Sequence, residues 1–280
     1  MWSAMFRPLF KNPKFIVGIT IFIIIVLMGL VGPILYPKDP NAFAGIPERP
    51  PCKEYPLGTD TYGGDLLAKL LNGTRSSLYI GVIVALISMT IGLLVGIFSA
   101  IKGGVVDEIL MAITNVVLTI PSILLAILIA SYLNVRSLEV IALILGVLSW
   151  PWFARAIRAQ LMSLSNREYV YLSRLAGYGD FRLAIEDLIP AIATYTFMSF
   201  ILFINGGILG EASLSLIGLG PTKGVTLGTI LQWATLMEAV RRGLWWWFIP
   251  PGVVIVALTS SLLIITTAMD EVFNPKLRER

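Results

Sequence analysis

Residues 15–36 read FIVGITIFIIIVLMGLVGPILY, a run without a charged side chain. A bilayer core about 30 Å thick takes roughly 20 apolar residues in a helix. This run meets that length. It is too long for the apolar region of a secretory signal, and Gly32-Pro33-Ile34-Leu35 is not a small-residue cleavage site. The reading is a retained transmembrane helix.

Five more runs follow: Leu78–Ile101, Ile109–Leu133, Leu138–Ala154, Ile189–Ile217 and Trp245–Met269. In lipid every backbone polar group must be satisfied inside the protein, so such runs read as helices. Pro121, Pro151, Pro250 and Pro251 predict kinks that neighbouring helices must absorb. The expected fold class is all-α, a polytopic membrane protein of about six transmembrane helices. Composition agrees. Of 280 residues 56% are hydrophobic and 14% charged, against about 25% charged in soluble domains. Too little charge is present to cover a water-facing surface.

Several function classes fall away. The net charge of +4 forms no basic domain, which argues against nucleic acid as a partner. Cys52 is the sole cysteine, so no intrachain disulfide can form. Histidine is absent, which removes the commonest general base and metal ligand. No catalytic residue and no metal site is expected, and a membrane-embedded enzyme is disfavoured.

Orientation follows from the loops. With the N-terminus cytoplasmic, the inside carries Arg7, Lys11, Lys14, Lys102, Arg155, Arg158, Arg167, Arg174, Arg182, Lys276, Arg278 and Arg280. The short outer loops carry Arg136, Lys223, Arg241 and Arg242. Positive-inside bias therefore places both termini in the cytoplasm. Trp245, Trp246 and Trp247 then fall at the outer interface, where aromatic rings are favoured; substrate stacking is the alternative.

Outside the runs, residues 37–77 hold Pro37, Pro40, Pro47, Pro50, Pro51 and Pro56, which predicts an irregular outer loop. On the other face, Ser165-Asn-Arg-Glu168 matches a capping box. Tyr171, Leu172 and Leu175 recur at helical spacing. Gly177 and Gly179 break that helix, Asp180 can cap a second short one, and Pro190 can open the next span. The segment 165–190 is either an interfacial connector resting on lipid or a docking element for a cytoplasmic partner.

Within the spans Glu211 stands out. An acidic side chain there costs on the order of 3 kcal/mol and faces protein or water. It reads either as a pathway or gate residue, together with Asn205, or as a glutamate bonded to backbone or a neighbouring helix. The pairs Gly206/Gly210 and Gly92/Gly96 have the spacing of close helix packing.

The spacing from Gly177 to Pro190 resembles the EAA loop of binding-protein-dependent ABC importer permeases. Tyr55-Pro-Leu-Gly-Thr-Asp60 with Gly63-Gly-Asp65 is similar to a segment of the oligopeptide and dipeptide branch, C-type subunit. Gly103-Gly-Val-Val-Asp-Glu108, Pro121-Ser-Ile-Leu-Leu125, Ser149-Trp-Pro-Trp-Phe-Ala-Arg155, Arg167-Glu-Tyr-Val170 and Glu211-Ala-Ser-Leu-Ser-Leu-Ile-Gly-Leu-Gly220 keep the same order. So do Lys11-Asn-Pro13 and Tyr36-Pro-Lys-Asp-Pro-Asn41. There are departures: Tyr171, Leu172 and Ser173 stand at the Glu-Ala-Ala positions, Asp187 at a usually branched one, and Gly64 where the branch has arginine.

The resemblance implies a permease subunit importing oligopeptides or dipeptides at the inner membrane of a prokaryote. Oligosaccharides, nickel chelates or glutathione are the alternative cargoes. Its partners would be a homologous second permease subunit, two cytoplasmic ABC ATPase subunits and an extracytoplasmic solute-binding protein, in contact with membrane lipid. ATP and Mg would sit on the ATPase, with no cofactor on this chain. The sequence has no G-x-x-x-x-G-K-S/T segment to cradle phosphates. Coupling would fall to Arg174, Ala176, Gly177 and Asp180, with Tyr171 and Leu175 as apolar docking contacts; local turn stability is the other reading of these six. The expected organisation is a tail, first helix and outer loop over 1–76 and a five-helix permease core over 77–280 with the EAA-type loop at 165–190. A stand-alone channel or secondary carrier is the different-class alternative.

Overall fold

The computed structural model describes residues 8–273, and within them it leaves aside the side chains of Arg174, Asp180, Phe181 and Ala184. Arg7, Lys276, Arg278 and Arg280 of the orientation argument lie outside the described residues. The described residues form helices and no strand, with two isolated bridges, Phe43 with Gly64 and Thr59 with Asp65. The all-α expectation holds.

Helix α1 spans Pro13–Leu35. Asn12 caps it by accepting from the Lys14 amide at 2.9 Å, and Pro13 takes the first turn, where a missing N–H costs nothing. Helix α2 spans Leu66–Lys102 and is the longest. Asp65 caps it through the amides of Leu67 and Ala68. It starts well before the expected Leu78, because the charge of Lys69 is taken up by Asp60 and does not interrupt the helix.

Two of the runs are broken spans. Helix α3 (Gly104–Thr119) and α4 (Ser122–Ser131) meet at 77° across Ile120-Pro121. Helix α5 (Leu138–Ser149) and α6 (Pro151–Ser165) meet at 42° at Trp150. Proline ends a helix by removing a donor and crowding the previous turn. Two short helices follow, α7 (Glu168–Leu175) and α8 (Asp180–Leu183), then a π-helical turn Ala184–Leu188 and the long α9 (Ile189–Leu216). Helix α10 (Leu227–Leu236) is absent from the sequence reading. Its start is a capping box between Thr226 and Thr229, which hydropathy does not register. Helix α11 (Trp245–Phe273) ends the fold, with Pro250 and Pro251 in its early turns. Four helices are long and apolar enough to cross a membrane, or six spans if each bent pair counts as one.

Helix α2 is the axis on which α9, α6, α5 and α1 pack. Lipid gives no hydrophobic drive to helix association, so close van der Waals approach must supply it. Gly92 and Gly96 provide that approach as expected. A Cβ on Gly92 would lie 2.6 Å from the Phe153 ring, and one on Gly96 2.8 Å from Ile157 and from the Ala154 carbonyl. On α9 the expected pair is only half right. Gly206 meets nothing within 4 Å, while Gly207 presses on Val84 and on Gly81, whose Cα would lie 3.1 Å away. Gly210 contacts Leu145. Helix α1 leans on α11 at Gly18 and on α2 at Gly29. Lys14 and Asn12 at its start both reach Glu271 near the end of α11.

Residues 36–65 are irregular, as their prolines predict, yet tightly tied. The Lys38 ammonium lies 4.7 Å from the ring centres of both Tyr36 and Tyr55 and donates to Asp65 at 3.0 Å. The Tyr36 hydroxyl, with Asp65 adding to it, pushes the pKa of Lys38 up. Asp60 accepts from the amides of Tyr62 and Gly64 and pairs with Lys69. Of the three tryptophans, only Trp245 is half-exposed. Trp246 lies over Gly58 and Trp247 is buried against α10, so two of the three are packing residues.

Candidate functional site

The segment 165–190 has two faces. Its entrance differs from expectation: Ser165 is the last residue of α6, its hydroxyl donates to the Leu161 carbonyl at 2.8 Å, and no capping box forms. Helix α6 therefore runs almost directly into α7. Val170, Leu183 and Leu188 turn inward and join the core that holds Leu161 and Ile157. Tyr171, Leu172 and Leu175 turn outward and are 64%, 64% and 71% exposed. Between α7 and α8 the chain reverses at Gly177, with φ +84° and no atom within 4 Å of the place a Cβ would occupy. Backbone conformation alone thus demands glycine there. Ala176 is exposed beside it. Arg174 lies in α7, and Asp180 is the first residue of α8, one place past the cap expected of it, since the Leu183 amide bonds the Gly179 carbonyl; both side chains lie outside the described residues.

Beyond the turn, Arg182 stacks on Tyr178, 3.8 Å from its ring centre, and donates to Glu186 at 2.9 Å. The π-helical turn then leads into α9. Pro190 has no N–H for the carbonyl one turn back, which loosens the ladder where the wider turn forms. Asp187 lies in this turn, and its Oδ2 is buried without a hydrogen-bond partner among the described residues.

Glu211 lies deep in the protein, fully buried. The hydroxyls of Ser215 and Thr226 each donate to Oε1 at 2.6 Å, and that of Ser77 reaches Oε2 at 3.5 Å. Ser77 in turn accepts from the Leu227 amide at 3.1 Å. The carboxylate thus joins α9, α2 and the start of α10, where the free N–H groups of a helix favour negative charge. Asn205 is not part of this group. It sits roughly 9 Å along the α9 axis, largely buried, with Oδ1 lacking a partner among the described residues. Sequence reading missed Ser77 and Thr226, since isolated hydroxyls in apolar runs carry no period.

A cavity of about 600 Å³ lies between the 36–65 loop, the turn after α9 and α10. Asp60, Lys69, Thr222, Lys223, Gln232 and Trp233 line it. Arg136 fixes one wall by donating to the carbonyls of Gly220, Leu133, Gly218 and Ala130 at 3.0–3.4 Å. Sequence reading had it only as an outer positive charge. Among the described residues no group of three acidic, cysteine or histidine side chains could hold a metal.

Comparison with known proteins adds to this geometry. Residues 92–279 match the family described as binding-protein-dependent transport system inner membrane component. Residues 1–51 match the N-terminal TM domain of oligopeptide transport permease C. The chain is 34% identical to the dipeptide transport system permease protein DppC of Haemophilus influenzae, over 80% of this chain and 78% of that one. It is 31% identical to the oligopeptide transport system permease protein OppC of Bacillus subtilis, over 82% and 76%. It is also 31% identical to the di/tripeptide transport system permease protein DppC of Pseudomonas aeruginosa, over 80% and 74%.

Proposed function

This chain belongs to the family of inner membrane components of binding-protein-dependent transport systems, and we propose that it is the permease subunit of an ATP-driven importer of oligopeptides or dipeptides. The observation that carries the mechanism is the exposed apolar face of Tyr171, Leu172 and Leu175, set beside the Gly177 turn. Three large apolar side chains at the end of a membrane-spanning bundle, anchored from behind by Val170, Leu183 and Leu188, suit a helix seated in a partner's groove.

In this reading the partner is a cytoplasmic ABC ATPase, one for each of two homologous permease subunits, and ATP with Mg binds there. This chain has no phosphate-cradling loop, so the energy arrives as movement of α7 and α8. The exposed apolar faces of α3, α4 and α9 border the pathway and the second permease. A solute-binding protein delivers cargo to the outer face, and both termini lie in the cytoplasm. Peptide is the cargo because the relatives named above are dipeptide and oligopeptide permeases.

The test is reconstitution of the chain with its companion permease, ATPases and binding protein in proteoliposomes. ATP-dependent, binding-protein-dependent accumulation of a labelled tri- or pentapeptide is expected. Accumulation by this chain alone would overturn the permease reading; uptake of a sugar, nickel chelate or glutathione in place of peptide would overturn the cargo.

A further inference from the structure

Helix α6, which leads into the coupling segment, is held to α2 by close apolar packing, and α3 is not. Gly92 and Gly96 let Phe153, Ala154 and Ile157 of α6 press on α2 without an intervening side chain. Helix α3 has no such seat. Among its described residues only Thr114 is buried, and Val105, Val106, Ile109, Ile113 and Val116 face outward. Apolar packing within this chain therefore does little to fix α3. Polar contacts do it instead. The Arg158 guanidinium of α6 grips both carboxylate oxygens of Asp107, and the Ser99 hydroxyl of α2 donates to the same carboxylate. Side chains from the end of α2 and the middle of α6 thus converge on one carboxylate at the start of α3. One turn earlier on α6, Arg155 donates to Asn115 of α3 at 2.6 Å. Asp107 and Arg158 are 15% and 28% exposed, so water screens the pair only in part. A planar guanidinium taken at both oxygens fixes orientation as well as distance.

Geometry also says what this grip would accomplish. Helix α6 enters α7 across only Asn166 and Arg167. The other arm of the segment enters α9 through the π-helical turn, a looser joint. One arm is stiff and the other compliant. Past Asp107, α3 ends in the 77° break and α4.

We propose that Asp107 is a positioning residue of the transport cycle: by holding Arg158 and Ser99 together it makes α3 move as one body with α2 and α6, so that displacement of α7 reaches the exposed bend of α3 and α4. This rests on the permease reading given above. The test uses the reconstituted complex and four readouts: copurification of the subunits, basal ATPase rate, ATPase rate with loaded binding protein, and solute imported per ATP hydrolysed. In Asp107→Asn the complex should assemble and keep its basal ATPase rate, while solute per ATP falls at least tenfold. Arg158→Lys, which keeps the charge and gives up the fork, should fall severalfold. The exchange Asp107→Arg with Arg158→Asp should recover much of the ratio. Normal solute per ATP in Asp107→Asn overturns the proposal. Should that variant fail to assemble, normal solute per ATP in Arg158→Lys overturns it instead. Failure of the wild-type complex to import marks failure of the permease reading, not of this one.

Discussion

The Thr226 hydroxyl donates to Glu211 at 2.6 Å, and Thr226 is also the residue that caps α10. One threonine thus starts a helix and neutralises the polarity of a buried acid. Removing the acid strands three hydroxyls, Ser77, Ser215 and Thr226. Glu211→Ala should destabilise the subunit by roughly 2–4 kcal/mol. Glu211→Gln, which keeps an acceptor oxygen, should cost less. Thermal unfolding of the purified complex in detergent checks this. Equal melting of the alanine variant and wild type would show that the cluster contributes no stability.

Neighbouring glycines on α9 should respond in opposite ways. Gly206→Ala meets open space and should change stability by less than about 0.5 kcal/mol. Gly207→Ala would put its methyl 2.9 Å from Val84 Cβ and should cost roughly 1–3 kcal/mol. Paired melting curves decide it, and a larger loss at 206 than at 207 would contradict the packing described.

At Gly177 the constraint is conformational. Gly177→Val forces a β-branched residue to φ +84°, a strain of about 1–3 kcal/mol. The bundle should still assemble, because nothing packs on that position. ATP hydrolysis should persist while uptake falls at least tenfold. Normal uptake alongside normal hydrolysis would remove Gly177 from the coupling path.

Gly64 offers a test of compensation. A Cβ there would lie 2.8 Å from the Lys69 ammonium and 3.0 Å from Asp60 Oδ2. Lys69 already supplies the cation that pairs with Asp60. Gly64→Arg alone should therefore lower the melting temperature, and Gly64→Arg with Lys69→Ala should restore most of it. Additive losses in the double variant would argue against exchange of one cation for the other.

The spans were legible because a 20-residue apolar run has few alternatives, as residues 15–36 illustrate. What escaped was set by contacts distant in sequence. Leu66 begins α2 because Asp60 answers Lys69 and Asp65 caps the helix, neither of which hydropathy weighs. Helix α10 escaped because a 10-residue helix is too short for a span and its capping threonines look like loop. Ser165 looked like the cap of the next helix and is the last residue of α6, since the sequence cannot say how far α6 runs before it ends. In the segment 165–190 the Gly177 turn was legible from glycine chemistry. The Asp107–Arg158 grip was not, because its partners lie far apart along the chain on helices whose packing no local pattern records.

The tie from Lys14 and Asn12 to Glu271 joins the first helix to the last. During synthesis α1 leaves the ribosome long before α11 exists. Its first half, which later rests Gly18 on Ile265 and Ser261, must meanwhile be stable facing lipid alone. A run of isoleucine, valine and leucine without a charge suits that wait. Biogenesis of the bundle therefore closes in a ring, and α1, made well before α11, completes its set of neighbours only when α11 arrives.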